Sequence, residues 1–318
     1  MEKKEIATEF ARIVGDYNCT QNVLLADYTT FRIGGPADFM VRPRNAGQLS
    51  EVVGLCRAEN LPWLLLGKGS NLLVSDEGFR GVILLPEGEL AGIEVESGRL
   101  TAGCGASLAK IARAALEAEL TGFEFAAGIP GSLGGAVYMN AGAYGGEMKQ
   151  ILDRITYLDE KGFHTIGVQE ASLGYRTSRF MEQGGLVVSA VLTLKPGRRE
   201  EIFASMQDLA AKRKAKQPLE YPSAGSMFKR PEGYFAGKLI QDAGLAGFRR
   251  NDAQISEKHC GFVINTGCAK ASDVRELVRQ VHLRVKEKFG VELWPEVRYL
   301  TPNGLAPLLD RKGVQCGI

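Results

Sequence analysis

Three short segments set reactive side chains among residues that bend the backbone. Gly174-Tyr175-Arg176-Thr177-Ser178-Arg179 carries two arginines in a turn between strand-like runs. Ala224-Gly225-Ser226-Met227-Phe228-Lys229 sets a serine directly after glycine in a proline-flanked loop. Trp294-Pro295-Glu296-Val297-Arg298 sets a carboxylate after proline, at or inside an apolar strand. A guanidinium grips an anionic group through two parallel N–H contacts. A carboxylate held near that group favours protonated or charge-shifted forms. Each residue also has an ordinary reading: Arg176 as a surface arginine, Ser226 as a helix N-cap, Glu296 as half of an ion pair with Arg298. No histidine lies near Ser226 and no GxSxG surrounds it, so a hydrolytic triad gains no support.

Glycine is concentrated elsewhere. Between Gly128 and Gly146 the chain reads GIPGSLGGAVYMNAGAYGG, with seven glycines in nineteen residues and no charge. Glycine costs chain entropy and offers no side-chain contacts, so a core would not select this composition. Two readings stand: tight turns in a β-rich region, or close approach of backbone N–H groups to an anionic ligand. Its polar groups, Ser132, Tyr138, Asn140 and Tyr144, suit holding a neutral or anionic cofactor better than acid–base chemistry. A second loop, Gly67-Lys68-Gly69-Ser70-Asn71, directly follows the apolar run WLLLG. A strand entering a Gly/Ser loop can present N–H groups to phosphate, and it can equally be a structural turn. The loop has neither Walker A nor GxGxxG spacing.

The elements that must position these residues follow from periodicity. Ile6, Phe10, Ile13 and Val14 predict an amphipathic helix over 2–15. Gly34-Gly35-Pro36 marks a turn before a strand at 38–41. Helices are expected at 46–59, 106–119, 198–216, 235–243 and 271–288. Strands are expected within 72–104, at 151–168, 186–194 and 260–264, in VELWPEVRYL, and as a buried strand after Pro62. The run Lys212-Arg213-Lys214-Ala215-Lys216 reads as a solvated helix end or an anion contact. Residues 303–318 lack periodicity and read as a loose tail.

At 318 residues the chain can hold two or three domains. A net charge of +2 gives no bulk case for nucleic acid or membrane. The N-terminus resembles neither a signal peptide nor a transit peptide, and no apolar run approaches the ~20 residues of a membrane span. Six scattered cysteines without CxxC spacing read as reduced thiols in a cytoplasmic protein, and three histidines leave little for a metal site.

Seven segments together carry a resemblance. TTFRIGGPAD, LGKGSNLLVSD, GIPGSLGGAVYMNAGAYGGE, LGYRTSRF, PSAGSMFKRP, GLAGFRRNDAQISEKHCGFVIN and PEVRYL occur in this order over about residues 28–300. The sequence thereby resembles the UDP-N-acetylenolpyruvoylglucosamine reductase family. The resemblance implies an α+β protein: a FAD-binding fold of the PCMH/VAO type in two subdomains, then an α+β substrate-binding domain. The expected division is 1–29 lead-in, 30–90 and 91–198 FAD-binding subdomains, 199–302 substrate domain and 303–318 tail. FAD would be held by Gly67, Lys68, Gly69, Ser70, Asn71, Gly131, Ser132, Gly134, Gly135, Asn140, Ala141 and Gly142. The loop holds no histidine, so non-covalent binding is expected. NADPH would be the reductant and a UDP-sugar enolpyruvyl ether the substrate, in peptidoglycan precursor synthesis.

By the same resemblance Arg176 and Glu296 stabilise developing charge, and Ser226 protonates C2 of the enolpyruvyl group. Tyr175, Lys229, Asn265 and Arg298 contact the substrate, and no metal is used. Some family members insert a loop with a tyrosine after the Tyr-Arg segment. TSRFMEQGGLVVS returns directly to a strand, so this chain looks like the shorter subtype. A FAD oxidase of the same fold and a nucleotide-binding module without redox chemistry are the alternatives. A monomer in the cytoplasm is the expected setting.

Overall fold

In a computed structural model describing residues 1–309, the chain forms two compact units, neither a single stretch of sequence. The first comprises Met1–Thr20, Met40–Lys68 and Ile83–Arg213. The second comprises Gln21–Phe39, Gly69–Val82 and the chain from Lys214 on. The α-helices among the described residues are α1 (Lys3–Val14), α2 (Ala46–Ala58), α3 (Leu108–Glu117), α4 (Leu133–Tyr138), α5 (Arg179–Glu182), α6 (Arg199–Lys216), α7 (Ala236–Asp242) and α8 (Ala271–Phe289). None is long and apolar enough to cross a membrane.

The first unit is built on a five-stranded antiparallel sheet. Its order is Gly162–Gly167, Leu152–Asp159, Leu186–Thr193, Arg99–Gly103, Ile93–Glu96. Alternation fixes the register: Ile155 faces Ile166 on one side and Ala190 on the other. The apolar spacing of α3 turns Leu108, Ile111, Ala112 and Ala115 into the core, and Ser107 caps its N-terminus by accepting the Lys110 N–H at 3.3 Å. α4 lies within the same core. α6 buries only Ile202, as its charged sequence demands.

The second unit holds the sheet Ser223–Ser226, Phe262–Asn265, Ala253–Ile255, Arg249–Arg250. The α8 residues Val274, Leu277, Val278, Val281 and Val285 pack into its core. A second sheet pairs Arg298–Thr301 antiparallel with Gly304–Ala306 and parallel with Leu72–Val74. That parallel ladder carries residues 69–82 into the second unit. The expected contiguous division at 90 and 198 is therefore not the one seen. Asp76 follows the ladder and closes the N-terminus of α8. Its carboxylate accepts the Ala271 and Ser272 N–H groups at 2.7 and 3.1 Å.

Other expectations change. VELWPEVRYL is a strand only from Arg298; Val291–Val297 is irregular apart from one bridge at Pro295. Pro295 has no N–H to give a ladder, and the Trp294 carbonyl and the Glu296 N–H bond Lys229 and Met227 instead. Trp63–Leu65 is half-buried, not buried. The hairpin strand Gly304–Ala306 occupies part of the expected tail, because its N–H and C=O groups complete the edge beside Arg298–Thr301. The rest of that expectation, 310–318, lies outside the described residues, as does Cys316. Cys19, Cys56, Cys104, Cys260 and Cys268 are free, and burial pushes the Cys56 and Cys104 thiols up to about 12.

The Gly34-Gly35-Pro36 turn passes hard against the turn after Leu72–Val74. A Cβ on Gly35 would stand 2.3 Å from the Asp76 carbonyl oxygen and 2.6 Å from the Gly78 nitrogen. Both are backbone atoms that cannot move without breaking the Gly35 N–H bond to Ser75 at 2.8 Å. Gly35→Ala will destabilise the chain by about 1–3 kcal/mol. The expected readout is a lower urea midpoint at unchanged slope.

Candidate active site

The glycine-rich stretch forms two different things. Leu133–Tyr138 is helical, and 142–147 is a tight hairpin turning at Tyr144-Gly145 with φ of 52° and 87°. Most of its glycines answer to the chain itself. A Cβ on Gly134 would stand 2.9 Å from Cys104 Cβ, one on Gly142 2.7 Å from the Gly146 oxygen, and one on Gly146 2.5 Å from the Phe125 ring. The helix start is also bound internally. Leu133 N–H donates to Ala106 at 2.9 Å and Gly134 N–H to Cys104 at 2.9 Å.

Gly135 differs. It is exposed, lies inside a helix, and a Cβ there would meet only Ser132 Oγ, at 3.6 Å. Glycine in a helix costs about 0.5–1 kcal/mol against alanine. The fold gives nothing back for it, so the open surface above Gly135 is suited to a closely approaching ligand. Gly67 lies beside it in the same unit: a Cβ on Gly67 would stand 2.2 Å from the hydroxyl of the buried Ser132. Gly67-Lys68 and Gly131–Gly135 thus form one small-residue surface. The loop continues into the second unit, where Gly69, with φ of 57°, presses on the backbone of Tyr28 and Thr29.

Asn140 joins the glycine hairpin to the arginine turn. It is buried at φ 43°. Its Nδ2 donates to the Gly174 carbonyl at 3.0 Å and to Glu147 at 3.1 Å, while Oδ1 accepts the Lys149 N–H at 2.9 Å. Ser178, fully buried, donates to the Tyr138 carbonyl at 2.7 Å. Between these fastenings Gly174 and Thr177 bridge, with Tyr175 and Arg176 at the tip. Arg176 has φ 54°, a region a non-glycine residue enters only under constraint. Its guanidinium lies 5.3 Å from the Tyr175 ring centroid and donates to the Gly142 carbonyl at 3.4 Å. The chain then forms the short helix α5 before its next strand, so the direct return to a strand expected from TSRFMEQGG is corrected. Serine and phenylalanine, Ser178 and Phe180, are buried there and wind it into one turn.

In the second unit, Ser223 pairs with Ile264 and Ser226 with Phe262. Three steps on one strand against two on the other make a β-bulge, and Gly225 at φ 78° supplies it. The bulge re-aims Ser226, which is exposed at a strand end. Its N-cap reading fails, since the next helix begins ten residues later at Ala236. The segment carrying Glu296 runs alongside. Glu296 N–H donates to the Met227 carbonyl at 2.8 Å, Lys229 N–H to Trp294 at 2.9 Å, and Phe228 bridges Pro295. Asn71 spans the other side: Nδ2 donates to the Glu296 carbonyl at 3.3 Å and its carbonyl accepts the Arg298 N–H at 3.1 Å. Ser226, Lys229, Glu296, Arg298 and Asn71 are thus neighbours on backbone that cannot shift independently.

Asn265 stands apart. It is buried, its Oδ1 accepts the Gly267 and Ala269 N–H groups at 3.0 and 3.1 Å, and Nδ2 donates to Phe31 at 3.3 Å. It fastens the strand end to the approach of α8. Asn140 is likewise a fastener. Ala141 continues the same backbone turn, its N–H donating to the Ala136 carbonyl at 2.8 Å. In the basic run, Lys212 pairs with Asp208 at 2.6 Å, whereas Arg213 is half-buried beside Gly128 and burial lowers its pKa. Sequence reasoning missed Thr30. It donates from Oγ1 to the Ser223 carbonyl at 2.7 Å and from N–H to Gly69 at 3.3 Å, so TTFR ties the second loop to the serine strand.

Comparison with known proteins identifies the parts. Residues 37–165 match a family model described as a FAD binding domain, and residues 217–300 match the UDP-N-acetylenolpyruvoylglucosamine reductase C-terminal domain. Together they define a flavin-dependent reductase. A UDP-N-acetylenolpyruvoylglucosamine reductase from Lachnoclostridium phytofermentans is 51% identical over 300 residues, covering 93% of this chain and 97% of the relative. One from Clostridium perfringens is 47% identical over 297 residues, covering 92% and 97%. The crystal structure of the Thermus caldophilus enzyme matches with a TM-score of 0.76 at 39% identity, over 87% of this chain and 97% of that one. The chain belongs to the UDP-N-acetylenolpyruvoylglucosamine reductase family.

Gly135→Ala separates ligand demand from fold demand. The FAD-free protein will gain up to about 1 kcal/mol from the better helix former, read as a higher urea midpoint. FAD affinity will fall by about tenfold or more, a loss of about 1.4 kcal/mol, read by flavin fluorescence titration. An unaltered affinity would show that Gly135 faces no ligand.

Proposed function

We propose that the chain is an NADPH-dependent flavoenzyme that reduces the enolpyruvyl ether of UDP-N-acetylglucosamine to the lactyl ether of UDP-N-acetylmuramate, in peptidoglycan precursor synthesis. The reading is supported by the family and by one geometric observation: the Glu296–Met227 backbone bond sets a carboxylate segment beside the bulge that presents Ser226. Non-covalent FAD would be held by the Gly67-Lys68 and Gly131–Gly135 surface, with Asn140, Ala141 and Gly142 shaping the hairpin beyond it. Gly69, Ser70 and Asn71 continue the same loop.

The double bond takes a hydride at C3 and a proton at C2; bound FAD supplies the hydride, which originates from NADPH. Hydride addition next to a carboxylate pushes charge onto that group as an enolate-like dianion. Preorganised partners lower the barrier by meeting charge where it develops. Arg176 is suited to this task because its backbone is held by the Asn140 and Ser178 bonds rather than by its own side chain. Glu296 takes the complementary role, controlling the protonation of the charge that forms. Ser226 gives its hydroxyl proton to C2. A serine hydroxyl is a poor acid in water and needs neighbours that stabilise its oxyanion. Lys229, three residues on and fastened to Trp294, is the candidate. Tyr175, next to Arg176, and Arg298, two residues after Glu296, are the further substrate contacts. The protein acts as a monomer in the cytoplasm, where NADPH and UDP-sugars are available.

The purified protein will be yellow and release FAD on denaturation. Ser226→Ala will leave flavin reduction by NADPH within about twofold of the parent, and will slow anaerobic reoxidation by the enolpyruvyl UDP-sugar by about 10²–10⁴-fold, the range of a lost general acid. Stopped-flow absorbance at the flavin band reads both half-reactions. Equal loss in the two would remove the proton-donor role, and a colourless protein that never takes up FAD would remove the flavin reading.

A further inference from the structure

His282 occupies the core-facing side of α8, among Val274, Leu277, Val278, Val281 and Val285, with none of it exposed. Its Nδ1 lies 2.9 Å from the Leu293 carbonyl oxygen. A carbonyl oxygen only accepts, so Nδ1 carries the proton and donates. The ring packs against Trp294, centroids 5.4 Å apart at 57°. Nε2 is buried without a hydrogen-bond partner. A valine or leucine would fill this face and leave no polar atom unsatisfied. The bond to Leu293 is what a histidine adds.

That bond falls at a sensitive place. Val291–Val297 lacks a strand ladder, so discrete contacts set its course. Trp294 and Glu296 bind the backbone of Lys229 and Met227 at 2.9 and 2.8 Å. Those contacts join it to the serine segment, and Asn71 Nδ2 holds the Glu296 carbonyl at 3.3 Å, but neither fastens the Leu293 carbonyl. The His282 bond fastens the Leu293 end of the segment to α8, a long helix whose N-terminus Asp76 fixes in turn.

We propose that His282 is a positioning residue for the reduction: its Nδ1–H holds the Leu293 carbonyl and, through Trp294 and Pro295, sets Glu296 and Lys229 against Ser226. The proposal rests on the roles given above to Ser226 and Glu296. His282 touches no reacting atom and acts through the backbone it holds.

The test uses the full-length, FAD-loaded enzyme. His282→Phe keeps a ring of similar size and removes the donor. Reduction by NADPH is expected within about twofold of the parent, and reoxidation by the enolpyruvyl UDP-sugar slower by about tenfold or more, with the KM for that sugar within about threefold. His282→Asn, whose amide N–H takes the place of Nδ1–H, recovers most of the lost rate. Amide hydrogen exchange gives a readout free of catalysis. In the phenylalanine variant the Lys229 and Glu296 amides will exchange about tenfold faster or more, while Val263 in the central strand is unchanged. If that variant does not fold, His282→Gln, whose amide nitrogen falls at the Nε2 position, replaces it with the same expectations. Equal loss in both half-reactions, unchanged reoxidation, or faster exchange throughout the unit overturns the proposal. A parent enzyme whose reduced flavin the sugar cannot reoxidise contradicts the proposed function instead.

Discussion

The parallel ladder between Leu72–Val74 and Arg298–Leu300 is the constraint on which the second unit depends. Parallel pairing joins segments far apart in sequence and makes loop closure the main entropic cost. Once formed, it determines everything adjacent. Asn71 comes to lie between Glu296 and Arg298, and its side chain and carbonyl engage both. Asp76, at the other end of the strand, reaches the first N–H groups of α8. The motif LGKGSNLLVSD is therefore less a loop than a bracket. Its glycines begin beside Ser132, its asparagine holds the Glu296 segment, and its aspartate anchors α8.

The first unit relies on a single amide in the same way. Asn140 makes three hydrogen bonds from a buried, left-handed position. Each such bond contributes about 0.5–1.5 kcal/mol, and stranding its partners costs more. Aspartate could not serve, since an ionised carboxylate has no N–H for the Gly174 carbonyl or for Glu147. The strained turn that carries Arg176 is fixed by this bond and by Ser178, so the arginine's place is set by other residues.

Much of this was legible. Periodicity gave α1, α2, α3 and α8 to within about two residues, the usual uncertainty of helix ends, because each has a face that must be buried, and α6 was marked by its charged composition. The motif segments marked where loops converge. What stayed hidden depends on long-range pairing. Nothing local in 69–82 announces a partner near residue 300, so contiguous domains were the natural reading. The bulge at Gly225 needs the register of both strands to be seen. Sequence does not show that Asn265 and Asn140 are buried and hold backbone through their amides; that needs the folded chain. His282 carries no local signal beyond one polar residue on an apolar helix face. Val291–Val297 has the composition of a strand, but Pro295 and the contacts to Phe228 and Met227 override it.

The glycines show how such hidden roles can be sorted. A glycine is required when a Cβ would strike the chain, or when φ is positive. Gly134, Gly142 and Gly146 meet the first condition, and Gly225 the second. Gly135 meets neither, and it sits at exposed helical backbone beside Gly67 and Ser132. A residue that weakens its own helix without any internal demand points to something outside the chain that needs the space. Glycines that serve the fold and a glycine that leaves space open thus stand within one motif, where composition alone treats all seven alike. Exposed backbone at Gly135 has been stripped of its side chain, while Arg176, Ser226 and Glu296 are carried by a strained turn, a bulge and an irregular segment. Regular elements would have fixed those three side chains to one face or the other; the irregular ones are free to aim them.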